Sequence, residues 1–499
     1  MILSLLVAIL LVFVIIIAIV ASYLLYMSSR HGELQKLGFV GPKPRLFTGT
    51  QLGNVFENQC EIYQAYKPHK VCAVYTLRFP GIMITSLDVA KDVLGKYFNY
   101  FSDHRHLPDT GCCLDESLLV LKGERWKHVR KTVSPFFSTT KLRYMCGLLE
   151  KKSQSLMEVL MEKQESGEAV ETKTLMSAFT MDAIASTAFG ADINSTRDPE
   201  NEFVKNAKKL TDQFFRFFSL VFLFPFLGHL QKAVKFSFVN KDLINFFVNF
   251  VGRALELRQS EVQERKRQDF IQVILDAEKE NTVKDNEEKQ KSGLSVAEVQ
   301  GAALIFLLGG YETVSTTLSF TLFQIAMNPE VLKKVQKELD QKLNGNFPNY
   351  TNIQSLTYLD MCISETLRMY PPGYLLERQC LETVDIQGIT FPKGYAVIVP
   401  VWAMHHDPDI WPMPEKFDPE RFTPENKASL HPCAYLPFGM GPRNCIGMRL
   451  AQLEIKIALA AILQRLTPVS CDKSVYPIEV HKYKMFAEQG LWLKFEKRT

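Results

Sequence analysis

Apolar side chains fill the first positions without interruption. No charged side chain occurs from Met1 to Ser29, and MILSLLVAILLVFVIIIAIVASYLLY exceeds the ~20 apolar residues needed to cross a bilayer core, which predicts a membrane-spanning helix over residues 1–29. A cleaved signal peptide is the alternative. It is disfavoured because a basic leading region is missing, the apolar run is too long, and Ala18 and Ala21 make no A-x-A site. Arg30, Lys36, Lys43 and Arg45 all follow the run, so the positive-inside rule leaves the bulk of the chain in the cytoplasm. In GPKPRLFTGT (41–50), Pro42 and Pro44 forbid a helix and favour a stiff, extended connection, giving a hinge over 30–50.

Beyond the hinge, apolar residues recur at three- and four-residue spacing over Lys141 to Gln164, Asn240 to Ala277, Ser295 to Met327 and Pro329 to Leu343, which predicts long helices. Strand patterns are short: Val71 to Arg78, Ile82 to Thr85, Tyr395 to Val401 and Leu491 to Phe495. The charged run Asp276 to Lys291 predicts a solvated loop between helices. FFRFFSLVFLFPFLGHL (214–230) is broken by Pro225 and cannot span as a second helix; it reads as core, as the wall of an apolar cavity, or as a membrane-dipping surface. The expected fold class is mainly α with small β-sheets (α+β). With no Gly/Ser linker or repeat after residue 50, residues 51–499 form one large domain in this reading.

Composition sharpens this in two respects. At 46% hydrophobic and 22% charged, 499 residues bury a sizeable core. A net charge of +4, with basic residues dispersed, gives no nucleic-acid footprint. The ten cysteines are irregularly spaced, with no C-x-x-C pair, and the vicinal Cys112 and Cys113 make an awkward disulfide and a poor chelate. Reduced thiols in a cytoplasmic domain fit this usage, and most single cysteines are small buried hydrophobes.

Cys445 departs from that expectation. In PFGMGPRNCIGMRLAQLE (437–454) it stands between a glycine-rich turn and a helical pattern; Gly439, Gly441 and Gly447 free the backbone, and Arg443 supplies positive charge. A helix N-terminus, a nearby cation and backbone N–H donors all favour a thiolate, which serves either as nucleophile or as metal ligand. A nucleophile wants a base, and His431 is the near one in sequence; ligation of a haem iron wants none. Three other stretches carry polar groups in fixed spacing. GGYETVSTT (309–317) sets two adjacent glycines before Glu312 and Thr313, which either opens a gap in a helix for a small ligand and a water, or marks a close helix crossing with Thr313 bonded back to a carbonyl and Glu312 solvated. SETLRMYPP (364–372) places Glu365 and Arg368 three apart on one helix face. GERWKHVRK (123–131) places Trp126 and Arg130 one turn apart.

Together these stretches resemble the cytochrome P450 superfamily. Phe438, Gly439, Gly441, Arg443, Cys445 and Gly447 fill its F-G-x-G-x-R-x-C-x-G haem loop; Gly309, Gly310, Glu312 and Thr313 match its oxygen-binding stretch; Glu365 and Arg368 match E-x-x-R, with Arg421 of PERF (419–422) completing a buried triad; Trp126 and Arg130 match W-x-x-x-R. HGELQKLGFVGPKP, SPFFSTTKL and DFIQVILDA look most like the microsomal family 3 enzymes, from which Gly309 (commonly alanine) and Val314 (commonly threonine) depart.

The resemblance implies a single haem-thiolate catalytic domain (51–499) with haem b held by the Cys445 thiolate and its propionates met by Trp126, Arg130, Arg378 and Arg443. Arg105 is a further candidate in a stretch, FSDHRHL, that departs from the usual pattern. Glu312 and Thr313 are the implied catalytic residues for proton delivery. The implied activity is a monooxygenase of lipophilic substrates (steroids, fatty acids or xenobiotics), fed by NADPH-cytochrome P450 reductase and cytochrome b5, and anchored by one span in the endoplasmic reticulum membrane lipid. The implied reductase face carries Arg125, Lys127, Lys131, Lys141, Arg143 and Arg449. The implied pocket uses residues after Arg105, 214–230, Ile305, Leu308, Tyr374, Leu375 and 485–490. Two alternatives stand beside it: a reductase-independent haem-thiolate isomerase or dehydratase of the thromboxane-synthase type, and a non-catalytic haem- or lipid-binding membrane protein.

Overall fold

The computed structural model describes residues 2–498 except 52, 106–108, 199, 225–226, 228–236, 238, 261–268 and 283–292. In chain order the main helices are α1 (Ile2–Ser28), α2 (Val55–Tyr66), α3 (Gly123–Val133), α4 (Thr139–Ser166), α5 (Thr172–Phe189), α6 (Glu202–Leu223), α7 (Lys241–Ser260), α8 (Phe270–Thr282), α9 (Val296–Met327), α10 (Pro329–Leu343), α11 (Thr357–Met369) and α12 (Met448–Arg465). The strands are β1 (Val71–Thr76), β2 (Phe79–Ile84), β3 (Val170–Glu171), β4 (Leu376–Gln379), β5 (Val384–Ile386), β6 (Ile389–Phe391), β7 (Ala396–Val399), β8 (Leu466–Val469) and β9 (Trp492–Lys497). The chain folds as two compact units.

The first unit comprises Met1–Phe101, Leu375–Pro412 and His431–Tyr435. Its four-stranded sheet runs β1-β2-β7-β4, with β2 and β7 parallel and the other pairs antiparallel. Helix α1 is apolar all round, with a mean hydropathy of 3.6, and its side chains from Ile2 to Val20 lie exposed, as lipid-facing residues do. Its C-terminal end is tied down: the Arg78 guanidinium sits 4.0 Å over the Tyr26 ring and donates to the Tyr26 hydroxyl at 2.7 Å. The proline-bearing connection lies against the sheet, because the Ala73 N–H donates to the Val40 carbonyl (2.7 Å) and the Thr50 N–H to the Tyr75 carbonyl (2.9 Å). Gly41 is required there: a Cβ would stand 2.3 Å from the Ala73 carbonyl oxygen.

The second unit comprises Ser102–Tyr374, Met413–Leu430 and Leu436–Thr499. Helix α9 is its axis, packed on α5, α11 and α12, and β3-β9-β8 make its small sheet. Ser295 and Glu298 form a reciprocal capping box at the start of α9, and Asn328 with Pro329 ends it. Helix α9 is also long and apolar enough to cross a membrane, but most of it is buried inside the protein.

The predicted helices at 141–164, 295–327 and 329–343 are present. The helix predicted over 240–277 is not one rod: α7 ends at Ser260 and α8 starts at Phe270. Asp269 sets the new start, accepting from the Gln272 N–H (3.0 Å) and pairing with Arg258 (2.9 Å). The charged run begins inside α8, which continues to Thr282, and its remainder lies outside the described residues. Of the aromatic stretch 214–230, α6 takes the part up to Leu223, burying Phe217 and Val221 and exposing Leu220; residues 225–226 and 228–230 lie outside the described residues. Strands β3 to β6 and β8 were not anticipated, since runs of two to four residues hold too little alternation to read.

Candidate haem-thiolate site

The loop around Cys445 is shaped by its glycines. Gly439 (φ 71°) and Gly441 (φ 76°) both take left-handed backbone that side chains with a Cβ rarely adopt. The resulting turn closes with the Cys445 N–H donating to the Phe438 carbonyl at 2.8 Å and the Asn444 N–H to the Gly441 carbonyl at 3.0 Å. Helix α12 then starts, so the Cys445 sulfur sits at a helix N-terminus. Cys445 is the exposed cysteine; the other nine are buried or half-buried. Its thiol is nevertheless pushed up by the surrounding protein mass, opposed by the Gly447 N–H, the Arg130 guanidinium and the Met448 N–H. The side chain is thus exposed while the protein around it disfavours its charge, and the donors beside it favour the thiolate.

The α3 residues support this loop directly. Arg130 donates to the Asn444 carbonyl (2.9 Å) and to the Asn444 side-chain oxygen (3.0 Å). The Trp126 ring lies under the Arg443 guanidinium at 4.1 Å. Arg443 is buried and donates to the carbonyls of Ser102, Leu118 (3.2 Å) and Leu121 (2.7 Å), with Asp103 at 3.5 Å. In this structure Arg443 therefore clamps the segment 102–121 to the loop. An aromatic cluster links the loop to α9: Phe306 of α9 stacks on Phe136 (5.9 Å) and meets Phe137 edge-on (5.5 Å), and Phe137 reaches within 3.8 Å of where a Gly447 Cβ would stand.

Helix α9 contributes an open stripe. Between Gly301 and Ile325 every residue is buried except Ile305, Leu308, Gly309, Gly310, Glu312 and Thr313. Their spacing of three and four places Ile305, Leu308, Gly309, Glu312 and Thr313 on one face. The two glycines divide the alternatives between them. A Cβ on Gly310 would meet the Ile184 side chain of α5 at 2.9 Å, a close helix crossing; a Cβ on Gly309 would meet nothing within 4 Å. The Thr313 hydroxyl donates back to the Gly309 carbonyl at 2.6 Å, and the side chain is exposed. Glu312 is ion-paired rather than merely solvated: Lys173 of α5 lies 3.0 Å from its carboxylate and donates to the Ser315 hydroxyl oxygen at 2.6 Å. Burial lowers the Lys173 pKa, with the Glu312 carboxylate acting against the shift.

The triad is assembled as the resemblance implied. Glu365, fully buried, accepts from Arg368 at 2.7 and 2.8 Å, from the Asp418 N–H at 3.0 Å and from Arg421 at 3.2 Å. Arg378 lies in the first unit, on β4; it is buried, donates to the Glu377 carbonyl at 2.9 Å, and burial brings its pKa down to about 10. Among the basic residues of the expected reductase face, Lys127, Lys131, Arg143 and Arg449 are exposed, whereas Arg125 is bound to the buried Glu298 carboxylate. Lys173 and Glu298 escaped sequence reasoning. Their signals are a lone lysine on an apolar helix and a capping-box acid, both of which have local explanations.

A sulfur donor at a helix N-terminus, a glycine-shaped backbone and an apolar stripe opened by Gly309 fit a flat thiolate-ligated macrocycle. That defines a haem-thiolate protein. The Cytochrome P450 family model matches residues 39–489, and the chain belongs to that family. It is similar to cytochrome P450 3A41 of Mus musculus (38% identical over 464 residues, 92% of this chain and 90% of that protein) and to cytochrome P450 3A1 of Rattus norvegicus (39% over 459 residues, 91% and 90%). Cytochrome P450 3A9 of Rattus norvegicus is 37% identical over 493 residues, 97% of this chain and 96% of that protein. The chain is thus an oxidoreductase of the monooxygenase type, with haem as its cofactor and a thiolate as the axial ligand.

Proposed function

We propose that Cys445 is the axial thiolate, and that the protein oxygenates lipophilic small molecules with electrons from NADPH-cytochrome P450 reductase and cytochrome b5. The observation that carries this reading is the open stripe on α9, which presents an acid and a hydroxyl beside apolar side chains on an otherwise buried helix. Bound haem supplies the activation of dioxygen. The chain's own residues do the rest. Trp126, Arg130 and Arg443 would hold the propionates, and the Gly447 and Met448 N–H groups favour the charged form of the Cys445 sulfur against the burial that raises its pKa. Glu312 and Thr313 relay protons from water to the open side of the stripe, while Ile305 and Leu308 offer apolar contact that selects a lipophilic substrate. The acid and hydroxyl on that face favour a monooxygenase over the isomerase or non-catalytic alternatives, neither of which has use for a proton relay.

Residues 1–29 act as the single anchor in the endoplasmic reticulum membrane, 30–50 as the connection, and 51–499 as the catalytic domain on the cytoplasmic face. Exposed Lys127, Lys131, Arg143 and Arg449 give the reductase a positive surface, whose attraction weakens with salt. The test is a reduced carbon-monoxide difference spectrum of wild type and Cys445→Ser, then reductase-driven NADPH turnover on a lipophilic panel. The variant is expected to lose the thiolate-type Soret band and turnover. A normal band in Cys445→Ser sinks the ligand assignment; oxygen-independent rearrangement of a peroxide without reductase sinks the monooxygenase reading.

A further inference from the structure

The vicinal cysteines of the segment between Arg105 and α3 take no part in the site described above. Cys112 and Cys113 are both half-buried, within reach of small solutes. The Cys112 sulfur lies 3.0 Å from the Thr110 hydroxyl, and the neighbouring Cys113 thiol and Leu114 N–H favour its charged form. That hydroxyl has one proton, and the Asp115 carboxylate competes for it at 2.9 Å. Asp115 also accepts from the N–H groups of Thr110 (2.7 Å) and Gly111 (2.9 Å), fixing the turn that carries the pair. On the other side Cys113 opens a 3₁₀ turn (Cys113–Glu116) whose backbone lies directly on α9: a Cβ at Gly301 would stand 2.4 Å from the Cys113 carbonyl oxygen. The two adjacent cysteines thus sit on a backbone pinned from both sides.

We propose that Cys112 and Cys113 are an oxidation-sensitive dithiol, with Cys112 the thiolate that attacks a hydroperoxide and Cys113 the thiol that resolves it. In the first step the Cys112 thiolate displaces hydroxide from hydrogen peroxide, and the sulfur is oxidised to a sulfenic acid as the O–O bond breaks. In the second step the Cys113 thiol attacks that sulfur, forming the S–S bond and releasing water; two thiols and one peroxide become one disulfide and two waters. The roles follow from the surroundings: the Thr110 hydroxyl stands 3.0 Å from the Cys112 sulfur, and Cys112 is held down, chiefly by the neighbouring Cys113 thiol, while Cys113 is pushed up. Five cysteines are buried, and burial pushes their thiols up, Cys72 and Cys433 to about 12 and Cys380 to about 11.

The awkwardness of a vicinal disulfide becomes the useful property. Neighbouring Cα atoms stand about 3.8 Å apart, short of the usual ~4.4–6.8 Å span, so the ring is strained and readily reduced, as a reversible switch requires. Ring closure falls on the segment whose Leu118 and Leu121 carbonyls hold Arg443, two residues before Cys445.

The experiment treats the holoenzyme with hydrogen peroxide at doses that spare the Soret band, alkylates remaining thiols and maps peptides by mass. Wild type is expected to lose two hydrogens from the peptide containing Cys112 and Cys113, with full recovery in dithiothreitol. Cys113→Ser is expected to stall at a Cys112 sulfenic acid captured by dimedone, and Cys112→Ser to lose that label. A wild-type peptide that stays doubly alkylated while Cys60 or Cys471 is oxidised overturns the proposal, as does dimedone capture at Cys113 in Cys112→Ser. The wild-type measurement needs no variant to fold.

Discussion

Removing Arg368 isolates a carboxylate with no route to water. Glu365 is fully buried and accepts two charge-assisted bonds from Arg368 at 2.7 and 2.8 Å, against one from Arg421 at 3.2 Å. Taking one partner from such a pair costs about 3–5 kcal/mol, because the surviving charge stays desolvated. Arg368→Met and Glu365→Leu should each fall in that range. The double variant removes the two paired charges and leaves the Pro414 carbonyl, the Asp418 N–H and the Arg421 guanidinium without these partners, about 1–3 kcal/mol each. It is therefore expected to cost less than the sum of the singles, with a coupling of about 2–3 kcal/mol. Burial is the first cause acting on the Glu365 carboxyl and raises it above the usual range, with Arg368 opposing. A raised acid contributes stability below its unfolded pKa and loses it as pH rises through the folded one, so burial outweighs what Arg368 and Arg421 return to the charged carboxylate. The assay is urea unfolding at pH 7 of the haem-loaded single and double variants, followed by circular dichroism and by loss of the Soret band. Additivity within about 0.5 kcal/mol would refute the reasoning, since it would mean the two side chains do not sense each other.

The two glycines of α9 should separate. Gly309→Ala, facing open space, gains up to about 1 kcal/mol of helix propensity, whereas Gly310→Ala pushes on Ile184 and costs about 1–3 kcal/mol; equal effects in thermal melts would contradict the division. Thr313→Ala removes an exposed hydroxyl beside Glu312 and should raise peroxide released per NADPH consumed; unchanged coupling counts against the proton relay. Asp407 is buried, which pushes its carboxyl up, but Lys67, Gln64 (3.0 Å) and the Asp409 N–H (3.1 Å) outweigh this and hold it below its ordinary value. A depressed acid gives stability above its unfolded pKa of about 3.9 that is lost as pH falls through the folded value, so Asp407→Asn should flatten the acid limb of a stability-pH profile; an unchanged limb would exclude it as a contributor.

Much of the site was legible where chemistry and backbone demand the same residue locally. Gly439 and Gly441 are readable because the turn before Cys445 uses left-handed backbone, and Glu365 with Arg368 because a helix brings residues three apart together. Arg421 could be joined to them only through the resemblance, as 56 residues separate it from Glu365. The break between α7 and α8 was missed since the apolar period continues on both sides of Asp269, whose capping role needs its fold to be seen.

By itself the sequence determined the apolar helix, the α-rich class, the thiol that stands apart from nine others, and the family, because each rests on composition, period or a contiguous motif. Tertiary structure alone decided that Gly310 serves a helix crossing while Gly309 opens the stripe, that Lys173 meets Glu312 across 139 positions, and that Arg443 clamps three distant carbonyls. Periodicity names the face of a helix but not its neighbour, and a charge acquires its partner only when burial removes water as the alternative.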